Sequence, residues 1–344
     1  METWSKVIPM HPFAILAPAW RRAPAAGIVA GALQEVEEIF RRQLRSDLPA
    51  VNELARHVER YRGKMLRPTL LLLSGLAATG REDEVALTRN HKMAAAVSEM
   101  IHMATLVHDD VLDEADTRRR GATINSLRGN ETAVMLGDWL ISNAFHLCSL
   151  IGDTSLNVAF GHTTNTLCEG ELLQLSRRED VCLDESTYLE IVKRKTAALV
   201  SACCQLGAQL SGASEEIQKA LGMYGQHTGV AFQIQDDILD FIGDQSVVGK
   251  TLGCDLLKGK ATLPLILYLR DCVGSSRVDA INVIESRDGI ELVRRMNKAG
   301  SITAAQAVAE NMIRAAQDAL EPLPPSQVKT LLQELAMEVI RRDR

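Results

Sequence analysis

Two apolar helical stripes, each closing on a group of aspartates, set the terms for this chain. The first runs through Val97, Met100, Ile101, Ala104, Val107, Val111 and Leu112 and carries Asp109-Asp110-Val111-Leu112-Asp113 at its end. The second, Ile217 to Phe241, carries Asp236-Asp237-Ile238-Leu239-Asp240. Apolar residues recurring at three- and four-residue steps predict amphipathic helices packed against a core. Residues four apart share a helix face, so Asp109 with Asp113, and Asp236 with Asp240, set like charges side by side at a cost of roughly a few tenths of a kcal/mol. Such pairs call for a cation. Oxygen-only ligands suit a hard ion such as Mg²⁺, which keeps several waters and shares its shell with substrate phosphates. One cluster alone reads equally well as a solvated helix end. Two, each followed closely by Arg or Lys, imply a metal-bridged diphosphate.

The 344 residues are 46% hydrophobic but only 4% aromatic, with prolines far apart, which favours an all-α fold over a sandwich or barrel. A net charge of −6 argues against nucleic-acid binding. The seven cysteines (Cys148, Cys168, Cys182, Cys203, Cys204, Cys254, Cys272) form no zinc-like spacing and read as reduced core residues of a cytoplasmic protein. No apolar run reaches the roughly 18 residues of a spanning helix, and the proline-rich start lacks the form of a signal peptide. Residues 1–27 read as an N-terminal arm, and residues 28–344 as a single helical domain without internal repeats.

Along the chain, helices are expected over Ile28–Leu44, from Val51 to Tyr61, and over Thr69–Ala78, with Gly63-Lys64-Met65-Leu66-Arg67-Pro68 between the last two. Lys64 and Arg67 beside a helix start make an anion site or ordinary surface charges. His102 lies seven residues, about two turns, before Asp109 and so on the same face, as a ligand or as a hydrogen-bonded core residue. Arg118, Arg119 and Arg120 follow the first cluster, and guanidinium groups match phosphate geometry. Further helices are expected at Met135–Leu150, Cys168–Leu175 and Tyr188–Ala213, the last carrying Lys193, Lys195 and Thr196. Gly243 and Gly249 bracket a loop after the second cluster, Lys250, Lys258 and Lys260 follow, and Thr262 with Pro264 looks like a helix cap. Helical pattern continues from Val278 to the basic end Arg341-Arg342-Asp343-Arg344, broken at Pro322–Pro325.

These strings together resemble the trans-prenyl diphosphate synthases. Glu99-Met100-Ile101-His102 through Asp113, with Arg118-Arg119, is similar to that family's first aspartate-rich motif, and Phe232-Gln233-Ile234-Gln235-Asp236 to Asp240 to its second. Gly63-Lys64-x-x-Arg67-Pro68, Lys195-Thr196, and Gly249-Lys250-Thr251 with Lys260 match the remaining signatures in order, so the likeness spans about residues 30–344. The resemblance implies an orthogonal bundle of helices with a deep central cavity, working as a homodimer. It implies that Asp109, Asp113 and Asp236, supported by Asp110, Asp237 and Asp240, hold several Mg²⁺ ions against an allylic diphosphate. Arg118, Lys195, Thr196, Gln233, Lys250 and Lys260 then contact that substrate, and Lys64, Arg67, His102 and Arg119 bind isopentenyl diphosphate. One departure stands out: Arg120 occupies the place where the family has Gly after the Arg pair, which touches the register of Arg118 and Arg119.

In such enzymes the product grows along the helix before the first cluster. Ala104 and Thr105 are small and Ile101 lies a turn further back, so no aromatic side chain stops the tail early, and a medium- or long-chain product, such as a quinone side-chain precursor, is expected. The bland reading is that Ala104 and Thr105 merely pack helices, with Met103 or Met135–Leu150 setting the floor. Four alternatives remain: a short-chain farnesyl or geranylgeranyl synthase, a class I terpene cyclase, a non-catalytic subunit of a heteromeric synthase, and a purely structural helical protein. Release of a long apolar product implies at most transient membrane contact.

Overall fold

The computed structural model describes residues 24–59, 63, 65–81, 83–119, 121–242, 256, 258–286 and 288–342. Lys64, Arg120, Cys254 and Lys250, and most of the expected N-terminal arm, lie outside the described residues. The molecule divides into two compact units.

The first unit takes the chain to Val158, with Leu206–Glu215 and Pro324–Leu331. It contains α1 (Pro24–Gln43), α2 (Pro49–Glu59), α3 (Leu66–Thr79), α4 (Arg89–Leu112), a hairpin of β1 (Thr117–Arg118) and β2 (Gly121–Ala122), α5 (Ile124–Arg128), α6 (Asn130–Ser149) and the start of α7 (Thr154–Ser176). Helix α4 is the hub, with α1, α3 and α6 packed on it. Its residues Ala94 to Val97, Met100, Ile101, Met103, Ala104 and Val107 are all closed off from solvent. Helix α3 is buried all round through Leu70–Leu73 and Leu76, as a helix apolar on every face must be. Each such leucine contributes roughly 1.5–3 kcal/mol on burial. Helix α4 thus runs through the core and delivers its aspartates where the helix emerges.

The second unit holds Ala159–Gln205, Glu216–Leu323 and Leu332–Arg344. Here lie the rest of α7, then α8 (Glu185–Val192), a π-helical turn at Lys193–Ala197, the larger part of α9 (Ala198–Leu210), α10 (Glu215–Ile242), α11 (Leu263–Asp271), α12 (Ser275–Glu285), α13 (Gly289–Ala299), α14 (Ser301–Ala319) and the larger part of α15 (Gln327–Arg341). Its core joins Tyr188 and Val192 of α8 to Val230, Ile234, Ile238 and Phe241 of α10, with Leu263–Leu269, Leu292 and Met296 beneath.

The helices begin earlier than the periodicity suggests, because proline is tolerated in a first turn. Pro49, two residues ahead of the expected start at Val51, opens α2, and α3 starts two residues before Pro68. Helix α7 is far longer than the expected Cys168–Leu175, its threonine- and asparagine-rich first half having masked the stripe. The continuous helix expected from Tyr188 to Ala213 is instead interrupted by the π turn. The hairpin at Thr117–Ala122 was not legible in the pattern. Thr262 caps α11 by position only, its hydroxyl buried without a partner among the described residues. The cysteines also need correcting: Cys148, Cys203 and Cys204 are buried, but Cys168 and Cys182 are exposed and Cys272 is partly so, and all six are free thiols.

Candidate active site

In the first unit three carboxylates crowd the C-terminal end of α4, with Asp113 as its cap residue. That end carries the negative pole of the helix dipole, so the arrangement is doubly unfavourable without a cation. Part of the compensation is built in. Arg118 Nε donates to Asp110 Oδ1 at 2.9 Å, from a hairpin in which Arg118 pairs with Gly121. Burial pushes the Asp110 carboxyl above its ordinary range, Arg118 opposes this, and Asp109 and Asp113 add to it. Asp110 Oδ2 is buried with no hydrogen-bond partner among the described residues, while Asp109 and Asp113 are half-buried. Two half-open carboxylates beside an orphaned buried oxygen are of the donor type that a hard cation takes. Among the described residues no three acidic, histidine or cysteine side chains already converge on one point.

Beside this cluster the structure gathers Arg67, Arg118 and Arg119 around His102. Burial first, and then those three guanidinium groups, hold His102 well below the ordinary imidazole range, so it is neutral. Glu99, 2% exposed, is the counter-charge of Arg119 and was not among the expected site residues. The Arg119 guanidinium comes close to the Gly63 backbone: a Cβ there would lie 2.5 Å from Nη2. Arg119, directly after β1, adopts a left-handed φ of 49°. Met65, preceding α3, with a φ of 52°, and Glu114, directly after the first cluster, with a φ of 49°, hold the same conformation. Such conformations cost on the order of 1–3 kcal/mol and persist where the surroundings enforce them.

The second unit contains an open cavity of about 100 Å³, edged by Gln174, Arg177, Lys195, Thr196, Gln233, Asp237 and Lys260. The π turn aims Lys195 and Thr196 at it. Gly170 of α7 lets that turn come close, since a Cβ on it would stand 2.7 Å from the Lys195 backbone nitrogen. Lys195 Nζ donates to Gln174 Oε1 at 2.9 Å and pairs with Glu171. A relay crosses the wall: Tyr188 donates to Asp237 Oδ2 at 2.6 Å, Gln233 Nε2 to Asp237 Oδ1 at 2.8 Å, and Thr196 to Gln233 Oε1 at 2.9 Å. Asp237 therefore spends both oxygens on protein donors. Asp236, more exposed, pairs with Arg342, and Asp240 is half-buried one turn on. Tyr188, Glu171, Gln174, Arg177 and Arg342 were missed in the sequence; only Tyr188, seven residues before Lys195, left a spacing signal.

Ile101 and Ala104 are closed off from solvent, and Thr105 is half-buried, its hydroxyl bonded to the His102 carbonyl at 2.8 Å.

An all-α fold carrying two acid-and-base clusters of this kind defines a class of enzymes that handle prenyl diphosphates. A family model described as Polyprenyl synthetase matches residues 48–299. The chain is 34% identical to heptaprenyl diphosphate synthase component 2 of Bacillus subtilis, over 89% of this chain and 87% of that protein. It is 35% identical to the octaprenyl diphosphate synthase of Escherichia coli, over 88% and 93%. Among solved structures, the polyprenyl synthase of Caulobacter crescentus complexed with calcium and isoprenyl diphosphate superposes with a TM-score of 0.85 at 30% identity, over 93% and 98%. The chain belongs to the polyprenyl synthetase family. It is a prenyltransferase with the all-α isoprenoid-synthase fold.

Proposed function

We propose that this chain joins isopentenyl diphosphate head-to-tail to an allylic diphosphate (geranyl, farnesyl or geranylgeranyl), giving a medium- to long-chain all-trans polyprenyl diphosphate. The observation that carries this reading is that there are two separate cationic groups, Arg67, Arg118 and Arg119 around neutral His102 in one and Lys195 and Lys260 in the other, each beside its own aspartate cluster. A terpene cyclase has one diphosphate to hold and needs one such group; a condensation has two. The intact charge set also speaks against a non-catalytic subunit.

In this reading Asp109, Asp113 and Asp236 hold Mg²⁺, which supplies Lewis-acid stabilisation of the departing diphosphate. Lys195, Thr196, Gln233 and Lys260 bind that diphosphate, and Lys195 exchanges Glu171 and Gln174 for its oxygens. Asp237 and Asp110 act on their neighbours, orienting Gln233 and Arg118. Arg67 and Arg119 hold isopentenyl diphosphate, and neutral His102 donates or accepts one hydrogen bond there without adding charge. The double bond of isopentenyl diphosphate attacks the allylic cation, and loss of a proton, taken up by the released diphosphate, completes the condensation. Lys64 and Lys250 take the substrate contacts that their motifs imply. Residues 28–344 work as one catalytic domain, in a homodimer and in the cytoplasm; among the described residues no helix is long and apolar enough to cross a membrane.

The test is incubation of the protein with Mg²⁺, isopentenyl diphosphate and farnesyl diphosphate, with chain length read by mass spectrometry. Polyprenyl diphosphates beyond geranylgeranyl that vanish in Asp109→Ala are the expected result. Cyclic hydrocarbons, or no turnover by the unaltered chain, overturn the reading.

A further inference from the structure

We propose that Arg342 is a positioning residue for the second aspartate cluster, fixing the Asp236 carboxylate before a divalent cation and its diphosphate arrive. This rests on the reading of that cluster as cation-binding given above. Arg342 follows directly on α15, and it grips a single turn of α10 at four points. Its guanidinium carbon sits 3.9 Å from the centroid of the Phe232 ring. Nη2 donates to the Phe232 carbonyl at 2.8 Å and pairs with Asp236 Oδ1 at 2.6 Å. The Arg342 carbonyl accepts from Gln235 Nε2 at 3.3 Å. Neither substrate group nor charge balance of the mechanism above uses this residue.

Its burial separates it from an ordinary surface pair. The Arg342 side chain is 16% exposed, whereas the neighbouring Arg341, paired with Glu338 one turn back, is 62% exposed. Two contacts to Phe232, its ring and its carbonyl, hold the guanidinium independently of the Asp236 carboxylate, and the bond from Gln235 anchors the Arg342 backbone. A planar, always-charged fork fixed in this way presents a donor at one place, and a carboxylate bonded to it loses its choice of rotamer. Oδ1 is the atom engaged. The ordering of Asp236 is thus complete before any ligand binds, which is what groups behind a metal ligand accomplish, and their removal typically weakens metal affinity or activity about 10- to 100-fold.

The experiment is thermal denaturation of the full chain while Mg²⁺ is titrated at fixed inorganic diphosphate, for the unaltered protein, Arg342→Ala, Arg342→Lys and Asp236→Asn. In Arg342→Ala the half-saturating Mg²⁺ concentration is expected to rise about 10-fold, with the metal-free melting temperature little changed. Arg342→Lys, which keeps the charge and the apolar stem, is expected to recover part of the difference and remains informative should the alanine variant not fold. In turnover, kcat is expected to fall while KM for isopentenyl diphosphate holds. Unchanged half-saturation in Arg342→Ala overturns the inference, leaving the residue as a helix-end clamp. So does tighter Mg²⁺ binding, which would make the guanidinium a competitor of the cation. If Mg²⁺ with diphosphate fails to stabilise even the unaltered protein, or stabilises Asp236→Asn equally, it is the underlying reading of the cluster that falls.

Discussion

Removing the Tyr188 hydroxyl probes the second-unit site at a single atom. In Tyr188→Phe the ring keeps its place among Val192, Ile234 and Ile238, while Asp237 Oδ2 loses a donor 2.6 Å away. Tyr188 is 4% exposed and Asp237 3%, so the bond that is lost is a buried one. A hydrogen bond to a charged group contributes roughly 1.5–3 kcal/mol net, and a buried acceptor left short costs a similar amount. The expected loss of stability is therefore about 2 kcal/mol, close to 30-fold in the unfolding constant. Asp237 keeps its bond from Gln233, but the pair is less firmly oriented, and Gln233 in turn holds Thr196 at the cavity wall. A fall in kcat of about 10-fold follows, on the scale seen when groups behind an active-site residue are removed. Chemical denaturation gives the first number and steady-state kinetics the second. A double-mutant cycle with Asp237→Asn should show a coupling of about 1–2 kcal/mol. A stability loss below about 0.5 kcal/mol, or a coupling near zero, would refute the relay from Tyr188 to Thr196.

Two further outcomes follow from the first unit. Ala104→Phe places an aromatic ring five residues before Asp109, at a position with no exposure, so products should shorten and stability should drop by about 1–3 kcal/mol from overpacking; unchanged chain length by mass spectrometry would move the floor to another residue such as Met103. His91, buried where α4 begins, has its pKa lowered to about 4 by desolvation, against the Gly207 carbonyl that draws it up. Because the folded pKa lies below the ordinary value of about 6.5, the unfolded chain takes up the proton first and stability is lost as pH falls from about 6.5 towards 4. The loss is about 2 kcal/mol at pH 5, and urea denaturation at pH 7 and pH 5, with His91→Gln as the variant lacking this slope, measures it.

Much of the chemistry could be read from the amino-acid order. The aspartate clusters, Arg67, His102, Arg118, Lys195, Thr196 and Gln233 carry their meaning in spacing, because a helix converts three- and four-residue steps into a shared face. The helical class was equally open, since the stripe of α4 and that of α10 repeat at helical period over many turns. Helix starts were less so: proline sits in the first turn of α2 and α3, and the threonines of α7 obscure its register.

What the tertiary structure alone decided is how the members of each cluster divide the work. Two adjacent aspartates look alike in a string, yet Asp237 is sealed between Tyr188 and Gln233 while Asp236 meets Arg342. Asp110 likewise turns inward to Arg118 as Asp109 and Asp113 stay half-open. Successive residues on a helix point about 100° apart, so one faces the core and the next faces the site, and which is which depends on where the neighbouring helices lie. The π turn that aims Lys195, the closeness at Gly170 and the return of Arg342 from the far end of the chain also depend on packing between segments distant in sequence. The sequence therefore determined the residue types and their chemistry, and packing determined which of them were exposed to use it.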